Sequence, residues 1–250
     1  MANRVTGPKA SKKKVREEHE HHPDASELLE NPDALRETLT SGTEDFVKKN
    51  AGLLTGIAVA IALLIGGFFG YRYYQNTQNA TAQEEMFQAV FYFEADSLSK
   101  ALNGDGNNYG FLEIIDEYGG TDASNLAHYY AGVIYLKQGE YEQAIAQLND
   151  FSASDLLVQA KAYALIGDAY MELEQYGQAA EQYQKAADYK PNAFFTPQYL
   201  IKAALAQEAN NNLPAATQSY QRIIDEFPTA NEMQEAQKQY ARLQAMTAGG

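Results

Sequence analysis

Hydrophobic and polar residues divide the chain into two parts with different patterns. Residues 51–71, AGLLTGIAVAIALLIGGFFGY, form a run of 21 residues without a charge. A helix of that length, at about 1.5 Å per residue, spans about 30 Å, the thickness of a bilayer's hydrocarbon core. Downstream, apolar residues recur at helical spacing among polar ones. The pattern predicts an all-α chain in which a single N-terminal transmembrane helix precedes a soluble helical domain.

The downstream pattern repeats about every 35 residues. In each repeat, small residues at two positions predict that the two helices of the pair cross closely there. Bulky residues at other positions are expected to fill the gaps between neighbouring helix pairs. Turns are predicted at Gly139 and in LEQYGQA and NNLPAA, and proline after the second helix stops it. The matching positions are Gly132, Tyr135, Ala144, Leu148 and Phe151, then Gly167, Tyr170, Ala179, Tyr183, Ala186 and Pro191, then Ala204, Ala216, Tyr220, Ile223 and Pro228. This spacing resembles the tetratricopeptide repeat, a pair of antiparallel helices that stacks into an α-solenoid.

A weaker helix pair precedes these three repeats. Phe111–Thr121 aligns with Tyr220–Ala230, and the same distance puts Ala95 at the close-packed position of one long first helix, EEMFQAVFYFEADSLSKAL. The intervening NGDGNN resembles the start of a calcium-binding loop, but the glycine at the sixth position of such a loop and the glutamate at the twelfth are missing. It is therefore predicted to be a turn. The predicted organisation is a largely disordered cytoplasmic tail (1–50), the transmembrane helix (51–71), a linker helix with the divergent repeat (72–122), three tetratricopeptide repeats (123–230), and a C-terminal capping helix with its tail (231–250).

Charge is distributed unevenly along the chain. Residues 1–50 carry nine Lys or Arg and ten Asp or Glu, whereas residues 73–250 carry nine and 23. The acidic domain repels phosphate, so nucleic-acid binding is not expected. Lys48 and Lys49 precede the span and only Arg72 follows it closely, which predicts a cytoplasmic N-terminus and an external C-terminal domain.

Gly52 and Gly56 form one GxxxG pair, Gly66 and Gly70 form another, and Ala58, Ala62, Gly66 and Gly70 make a row of small residues along one face of the predicted span. Such rows let helix backbones approach closely in lipid, where packing drives association. We therefore expect contact with another membrane helix, from a larger membrane protein or a second copy, through Gly52, Gly56, Ala58, Ala62, Gly66 and Gly70. The alternative is that glycine and alanine are simply common in membrane helices.

The first helix of each repeat is expected to line the concave side, where helical-repeat domains bind peptides. Its mixture of aromatic, aliphatic and acidic side chains suits an apolar or basic segment. The alternative is that several of these side chains pack against neighbouring helices. The candidate partner-binding residues are Tyr92, Asp96, Tyr129, Val133, Leu136, Lys161, Asp168, Met171, Glu172, Ile201, Leu205 and Glu208.

No arrangement of residues indicates catalysis. His128 is the only histidine outside the tail, and it falls at a structural repeat position. The chain lacks cysteine, a nucleophile elbow, a phosphate-binding loop and an HExxH zinc motif. The histidines at 19, 21 and 22 lie in a tail without fixed geometry. We therefore expect no enzyme activity, no cofactor and no metal.

The order of these segments resembles the YfgM family, ancillary subunits of the bacterial Sec translocon. The resemblance runs from about Thr43 to the end. Many members have a Trp-Arg-Tyr-Trp-like motif where this chain has Tyr71, Arg72, Tyr73 and Tyr74. The resemblance implies a single-pass protein of the bacterial inner membrane with periplasmic repeats. It also implies a non-catalytic role beside translocon membrane subunits and a membrane-anchored periplasmic chaperone of the peptidyl-prolyl isomerase type, in contact with nascent secreted polypeptides.

Two other functions fit the same architecture. One is a scaffold for another envelope machine, such as secretion, gliding or division. The other is a peptide-binding chaperone that acts alone.

Overall fold

The computed structural model describes residue 43 and residues 46–248, with the backbone alone at 247 and 248. The predicted tail, 1–50, therefore lies outside the described residues except for residues 43 and 46–50. Contacts divide the chain into two units, Met1–Phe68 and Phe69–Gly250.

The described residues are helical and contain no β-strand. We number the helices in chain order: α1 Ala51–Glu94, α2 Leu98–Asn103, α3 Phe111–Glu117, α4 Asp122–Gln138, α5 Tyr141–Asp150, α6 Val158–Glu172, α7 Tyr176–Asp188, α8 Thr196–Ala209, α9 Leu213–Glu226 and α10 Met233–Ala248.

The apolar part of α1 is exposed. From Ala51 to Phe68, only Leu54 is partly covered by other described residues. The helix is long and apolar enough to cross a membrane, and none of its apolar window is buried within the described chain. A run of apolar side chains that the protein leaves uncovered has the properties of a lipid-facing helix.

In the second unit, consecutive helices pack as pairs: α4 with α5, α6 with α7, and α8 with α9. A left-handed residue ends the first helix of each pair, namely Gly139 at φ 78°, Glu174 at φ 57° and Asn211 at φ 57°. The predicted turns are therefore confirmed. Between pairs, Thr121 caps α4 by accepting a hydrogen bond from the Ser124 backbone N–H at 3.1 Å.

The predicted close crossings are confirmed. A Cβ built on Gly132 would lie 2.5 Å from Leu148 Cγ, and one on Gly167 would lie 2.7 Å from Tyr183 Cε1. The third repeat has the fully buried Ala204 at this position. Each first helix thus has no room for a larger residue where the second helix crosses it. The chain is an α-solenoid of helix pairs in this unit.

The prediction for the first pair is wrong in one respect. The chain leaves the helix at Asp96, which has a φ of 55°, and Ala95 is exposed. The second helix of this pair is interrupted: α2 ends at Asn103 and α3 begins at Phe111, on either side of a loop that contains most of the predicted turn, Asn103–Asn108. The alignment of Phe111–Thr121 with Tyr220–Ala230 takes no account of the residues inserted between α2 and α3. The predicted close-packed position therefore lies about six residues too late in the first helix. Ala89, six residues before Ala95, is fully buried, as are Ala82 and Ala101.

The C-terminal helix α10 covers the last repeat. Ala236 and Leu243 are fully buried in one cluster with Ile223 of α9. This helix closes the apolar end of the stack, as solenoids require and as its amphipathic spacing predicts.

Candidate interaction surface

An aromatic cleft lies among the first helices of the three repeats. It has a volume of about 410 Å³ and is contributed by α4, the start of α6 and the start of α8. Its lining is largely apolar. The lining residues are Leu126, Tyr129, Tyr130, Leu157, Val158, Lys161, Phe195 and Tyr199.

Packing behind the cleft holds its aromatic rings in place. Tyr130 stacks on Phe111, with ring centroids 4.8 Å apart and an angle of 4° between the rings. Tyr129 contacts Phe151, whose ring centroid lies 5.2 Å away. Burial raises the pKa of both Tyr129 and Tyr199. These two phenols therefore stay neutral at physiological pH, and the aromatic part of the cleft is preformed.

Lys161 is the single charged residue of the lining. It forms no ion pair with any residue between 46 and 248, unlike Lys137 and Lys202, which each contact a carboxylate. The residue as a whole is exposed and lines the cleft. A ligand that fills the cleft with apolar groups therefore meets one free cation beside them.

Exposed apolar side chains continue from the cleft onto the loops between repeats. Leu156 and Leu157 precede α6, and Phe194 precedes α8 with 71% of its surface exposed. The Phe194 ring contacts the Phe195 ring at a centroid distance of 4.8 Å. Asp155 holds the first loop by accepting hydrogen bonds from the backbone N–H groups of Leu157 and Val158. These two loops form the rim of the cleft.

Two of the predicted partner-binding residues, Tyr129 and Lys161, line the cleft. Others lie on the first helices but face neighbouring side chains: Leu136, Met171 and Ile201 are partly buried against the apolar clusters of their repeats, and Val133 is partly buried. Leu205 and Glu172 are exposed. These positions remain predictions as binding residues.

Two predicted acidic residues link successive repeats. Asp168 accepts hydrogen bonds from the Tyr183 hydroxyl and from Lys202, each at 2.6 Å. Glu208 accepts one from the Tyr220 hydroxyl at 3.0 Å and pairs with Arg242. Burial, then the hydrogen bond to the carboxylate, raises the pKa of each tyrosine. Both acids are therefore occupied by contacts within the solenoid.

The remaining two predicted residues of this set lie at the end of α1 and in the turn that follows it. The Tyr92 hydroxyl donates to Asp105 at 2.6 Å, and Asp96 pairs with Lys137 at 3.2 Å. Asp96 lies in the turn after α1 and not on a helix face. Both residues were selected with the register that the insertion displaces.

Most of the cleft was missed by the sequence reasoning. Phe195 and Leu157 lie in the loops immediately before α8 and α6, and Tyr199 and Tyr130 lie next in sequence to the fully buried Leu200 and Ala131. The repeat register identifies which helix a residue belongs to. The cleft also depends on how the loops between repeats turn, and the one available signal was the apolar composition of LL at 156–157 and FF at 194–195.

The predicted small-residue face of the span has no partner within the described chain. A Cβ built on Gly52, Gly56, Gly66 or Gly70 would meet no atom within 4 Å. Ala58 and Ala62 are exposed as well. This face is open for another helix, and its use remains a prediction.

The described residues show no group of three or more residues able to hold a metal ion. The His128 ring contacts the Gln147 amide through Nδ1 at 2.8 Å.

Asp105 accepts hydrogen bonds from the backbone N–H groups of Asn107 and Asn108 as well as from Tyr92. These bonds, the one from Tyr92 first, hold the pKa of Asp105 well below its ordinary range. The loop residues thus satisfy one another, as a structural turn does.

Comparison with known proteins identifies the repeat. A family model described as "Tetratricopeptide repeat" matches residues 126–154 and 198–230, which comprise most of α4 with α5 and of α8 with α9. An uncharacterized protein, ycf37, of Guillardia theta is 34% identical over 117 residues. The match covers 45% of this chain and 64% of that relative, which is less than two thirds of its length. The chain therefore contains tetratricopeptide repeats, non-catalytic modules that indicate a scaffold for protein–protein interaction.

Proposed function

We propose that the protein is a membrane-anchored, non-catalytic accessory subunit of the Sec translocon, comparable to the YfgM family. The exposed apolar part of α1 supports anchoring in the bacterial inner membrane. Lys48 and Lys49 before the span, against Arg72 alone after it, support a cytoplasmic N-terminus with periplasmic repeats. The segment order from Thr43 onwards supports the family.

The aromatic cleft carries the proposal. Packing holds Tyr129 and Tyr130 in place, the phenols of Tyr129 and Tyr199 are neutral, and the rim presents Leu157 and Phe194 to solvent. A bulky apolar side chain that enters such a site gains about 1.5–3 kcal/mol from burial. Because the rings are already ordered, little of this is lost to ordering the receptor. The ligands are an exposed segment of the isomerase-type chaperone or an emerging polypeptide, and translocon membrane subunits contact the span.

In-cell photo-crosslinking tests the proposal. A photoreactive phenylalanine at Leu157 in the full-length protein should capture translocon subunits, the isomerase-type chaperone or secreted precursors, identified by mass spectrometry after solubilisation in mild detergent. The double variant Leu157→Ser/Phe194→Ser, with a photoreactive residue at Leu156, should lose most of these products. Met246→Ser removes an exposed apolar side chain from α10 and should retain them.

Three outcomes would contradict the proposal. Products from another envelope machine would favour the scaffold function, and a heterogeneous set of unfolded clients without translocon subunits would favour the chaperone that acts alone. Equal products from the double variant and from Met246→Ser would show that the cleft is not the binding site.

A further inference from the structure

The last four turns of α1 have two opposite faces. Ala82 and Ala89 are fully buried and Met86 nearly so, all in one cluster with Phe111 of α3 and Ala131 of α4. On the opposite side Phe87 and Phe91 are 72% and 54% exposed. Positions four residues apart lie on the same face of a helix, so the two rings form one apolar ridge.

Glutamates bound this ridge at both ends. Glu84 lies three residues before Phe87, and Glu94 lies three residues after Phe91; both are exposed. Neither carboxylate forms an ion pair with a residue of the described chain. From residue 73 to residue 99 the sequence has four acidic residues and no Lys, Arg or His. The ridge is thus apolar in its centre and negative at its ends.

This face also ends the stack of helix pairs. Each later pair is covered by the helix that follows it, and α10 covers the last one. The described residues leave most of Phe87 and about half of Phe91 exposed on this face of α1. An exposed apolar surface of this kind marks an interaction site, and an amphipathic helix buries its own apolar face against such a surface.

We propose that Glu84, Phe87, Phe91 and Glu94 form a docking site for an amphipathic helix of another protein, in which two apolar residues one turn apart are flanked by lysine or arginine. From Glu84 to Glu94 the spacings are three, four and three residues, and this order is the same when it is read from either end. A partner helix in either orientation therefore brings its cations to both glutamates. A second copy of this chain is a poor occupant, because its own glutamates would meet Glu84 and Glu94.

The probe is a labelled helical peptide with two leucines four residues apart and a lysine three residues outside each leucine. Binding to the full-length protein in lipid nanodiscs is followed by fluorescence anisotropy. A peptide with glutamate in place of both lysines should bind about tenfold more weakly or worse, because it places like charges together. Phe87→Ser/Phe91→Ser should weaken the lysine peptide by about tenfold or more, because it removes the apolar contact.

Charge exchange gives the sharpest test. Glu84→Lys/Glu94→Lys should reverse the preference, so that the glutamate peptide binds more tightly than the lysine peptide. Asp116→Lys/Glu117→Lys makes the same change in charge on the exposed side of α3 and should leave the preference as it was. An unreversed preference in the first variant, or unchanged binding by the phenylalanine variant, would overturn the proposal.

A second copy is tested separately. The chain has no cysteine, so Phe87→Cys introduces a single thiol. Efficient disulfide-linked dimers on mild oxidation in membranes would show that a second copy covers the face, which would overturn the proposal. Monomers would support it. Neither result bears on the aromatic cleft, so this inference stands or falls independently of the proposed function.

Discussion

Gly132 and Gly167 occupy equivalent positions in consecutive repeats, and each lies directly under a side chain of the second helix. At Gly132 the neighbour is Leu148, and at Gly167 it is the Tyr183 ring. The sequence pattern predicted these positions because both helix crossings need a small residue. The identity of the overlying side chain, an aliphatic one in one repeat and an aromatic one in the next, came with the structure.

Gly167→Ala should lower the free energy of unfolding by about 1–3 kcal/mol, because its methyl group would overlap the Tyr183 ring at 2.7 Å. Gly177→Ala is the matched control within a helix: its nearest neighbour is the Asn210 side chain at 3.4 Å, and alanine favours helix, so stability should rise slightly. Thermal unfolding followed by circular dichroism measures both. Equal effects of the two variants would contradict the close crossing.

Tyr183 and Tyr220 should make stability sensitive to alkali. Burial raises their pKa in the folded protein above the ordinary value of 10.0, so the unfolded chain loses these protons first. The stabilisation is fully present below about pH 10 and falls as the pH rises above that value. The double variant Tyr183→Phe/Tyr220→Phe should show a smaller loss of unfolding free energy above pH 10, in denaturant titrations. An unchanged slope would show that these two phenols are not responsible.

At the scale of the helix, the turn within each repeat sets where the second helix begins. Gly139, Glu174 and Asn211 all adopt positive φ at this turn. Only the first is the glycine that such a backbone favours. The sequence therefore indicated the first turn by its glycine, and the other two turns by their position in the repeat.

Glu174→Gly should raise the free energy of unfolding by about 0.5–1 kcal/mol, because glycine removes the steric cost of a left-handed backbone. Gly139→Ala should lower it by about 1 kcal/mol for the same reason. The two variants act as controls for each other, because they should change the free energy of unfolding in opposite directions. Chemical denaturation measures both. Destabilisation by Glu174→Gly would show that its exposed side chain contributes more than the backbone strain costs.

The span should recognise another helix through its small residues. Gly66→Leu/Gly70→Leu should weaken recovery of membrane partners in mild detergent, because bulk at these positions keeps backbones apart. Gly67→Leu is equally exposed but points to another side, so it should have little effect. Carbonate extraction checks that all variants remain inserted. Unchanged recovery with the double variant would argue against this face.

Across the molecule, charged contacts connect repeat to repeat at a constant spacing. Asp168 with Lys202, Glu208 with Arg242, and Asp188 with Arg222 are each separated by 34 residues. The Asp168–Lys202 pair joins the first helices of two successive repeats, and the Glu208–Arg242 pair joins the first helix of the last repeat to α10. The Asp188–Arg222 pair joins the second helices of two successive repeats. Exposed ion pairs of this kind stabilise little individually. Their shared spacing shows that one stacking geometry recurs along the solenoid.

The absence of cysteine makes the orientation directly testable. We expect Ser154→Cys, in an exposed loop of the repeats, to react with a membrane-impermeant maleimide in spheroplasts. Ser11→Cys, in the tail, should react only after permeabilisation. The reverse pattern would contradict the proposed topology, and labelling of both without permeabilisation would contradict a single crossing.

Local periodicity was enough to predict the helices, the three regular repeats and the C-terminal cap. It failed at the first pair, because the insertion between α2 and α3 changes the count between Asp96 and Phe111, and the predicted turn at NGDGNN does not show how many residues the insertion adds. The assignment of Ala95 to a close crossing is wrong for that reason: Ala95 is exposed, whereas Ala89, six residues earlier, is fully buried.

The sequence by itself determined the apolar helix, the helix pairs and the close crossings between them, since each depends on residues within one turn or one repeat. The tertiary structure decided the aromatic cleft and the ridge of Phe87 and Phe91, since both depend on which side chains neighbouring helices leave uncovered. Asp168 and Glu208 illustrate the difference. Their sequence positions suggested ligand contacts, whereas packing brings a tyrosine and a cation to each of them. Burial is a property of the whole assembly of helices, so a one-dimensional pattern cannot supply it.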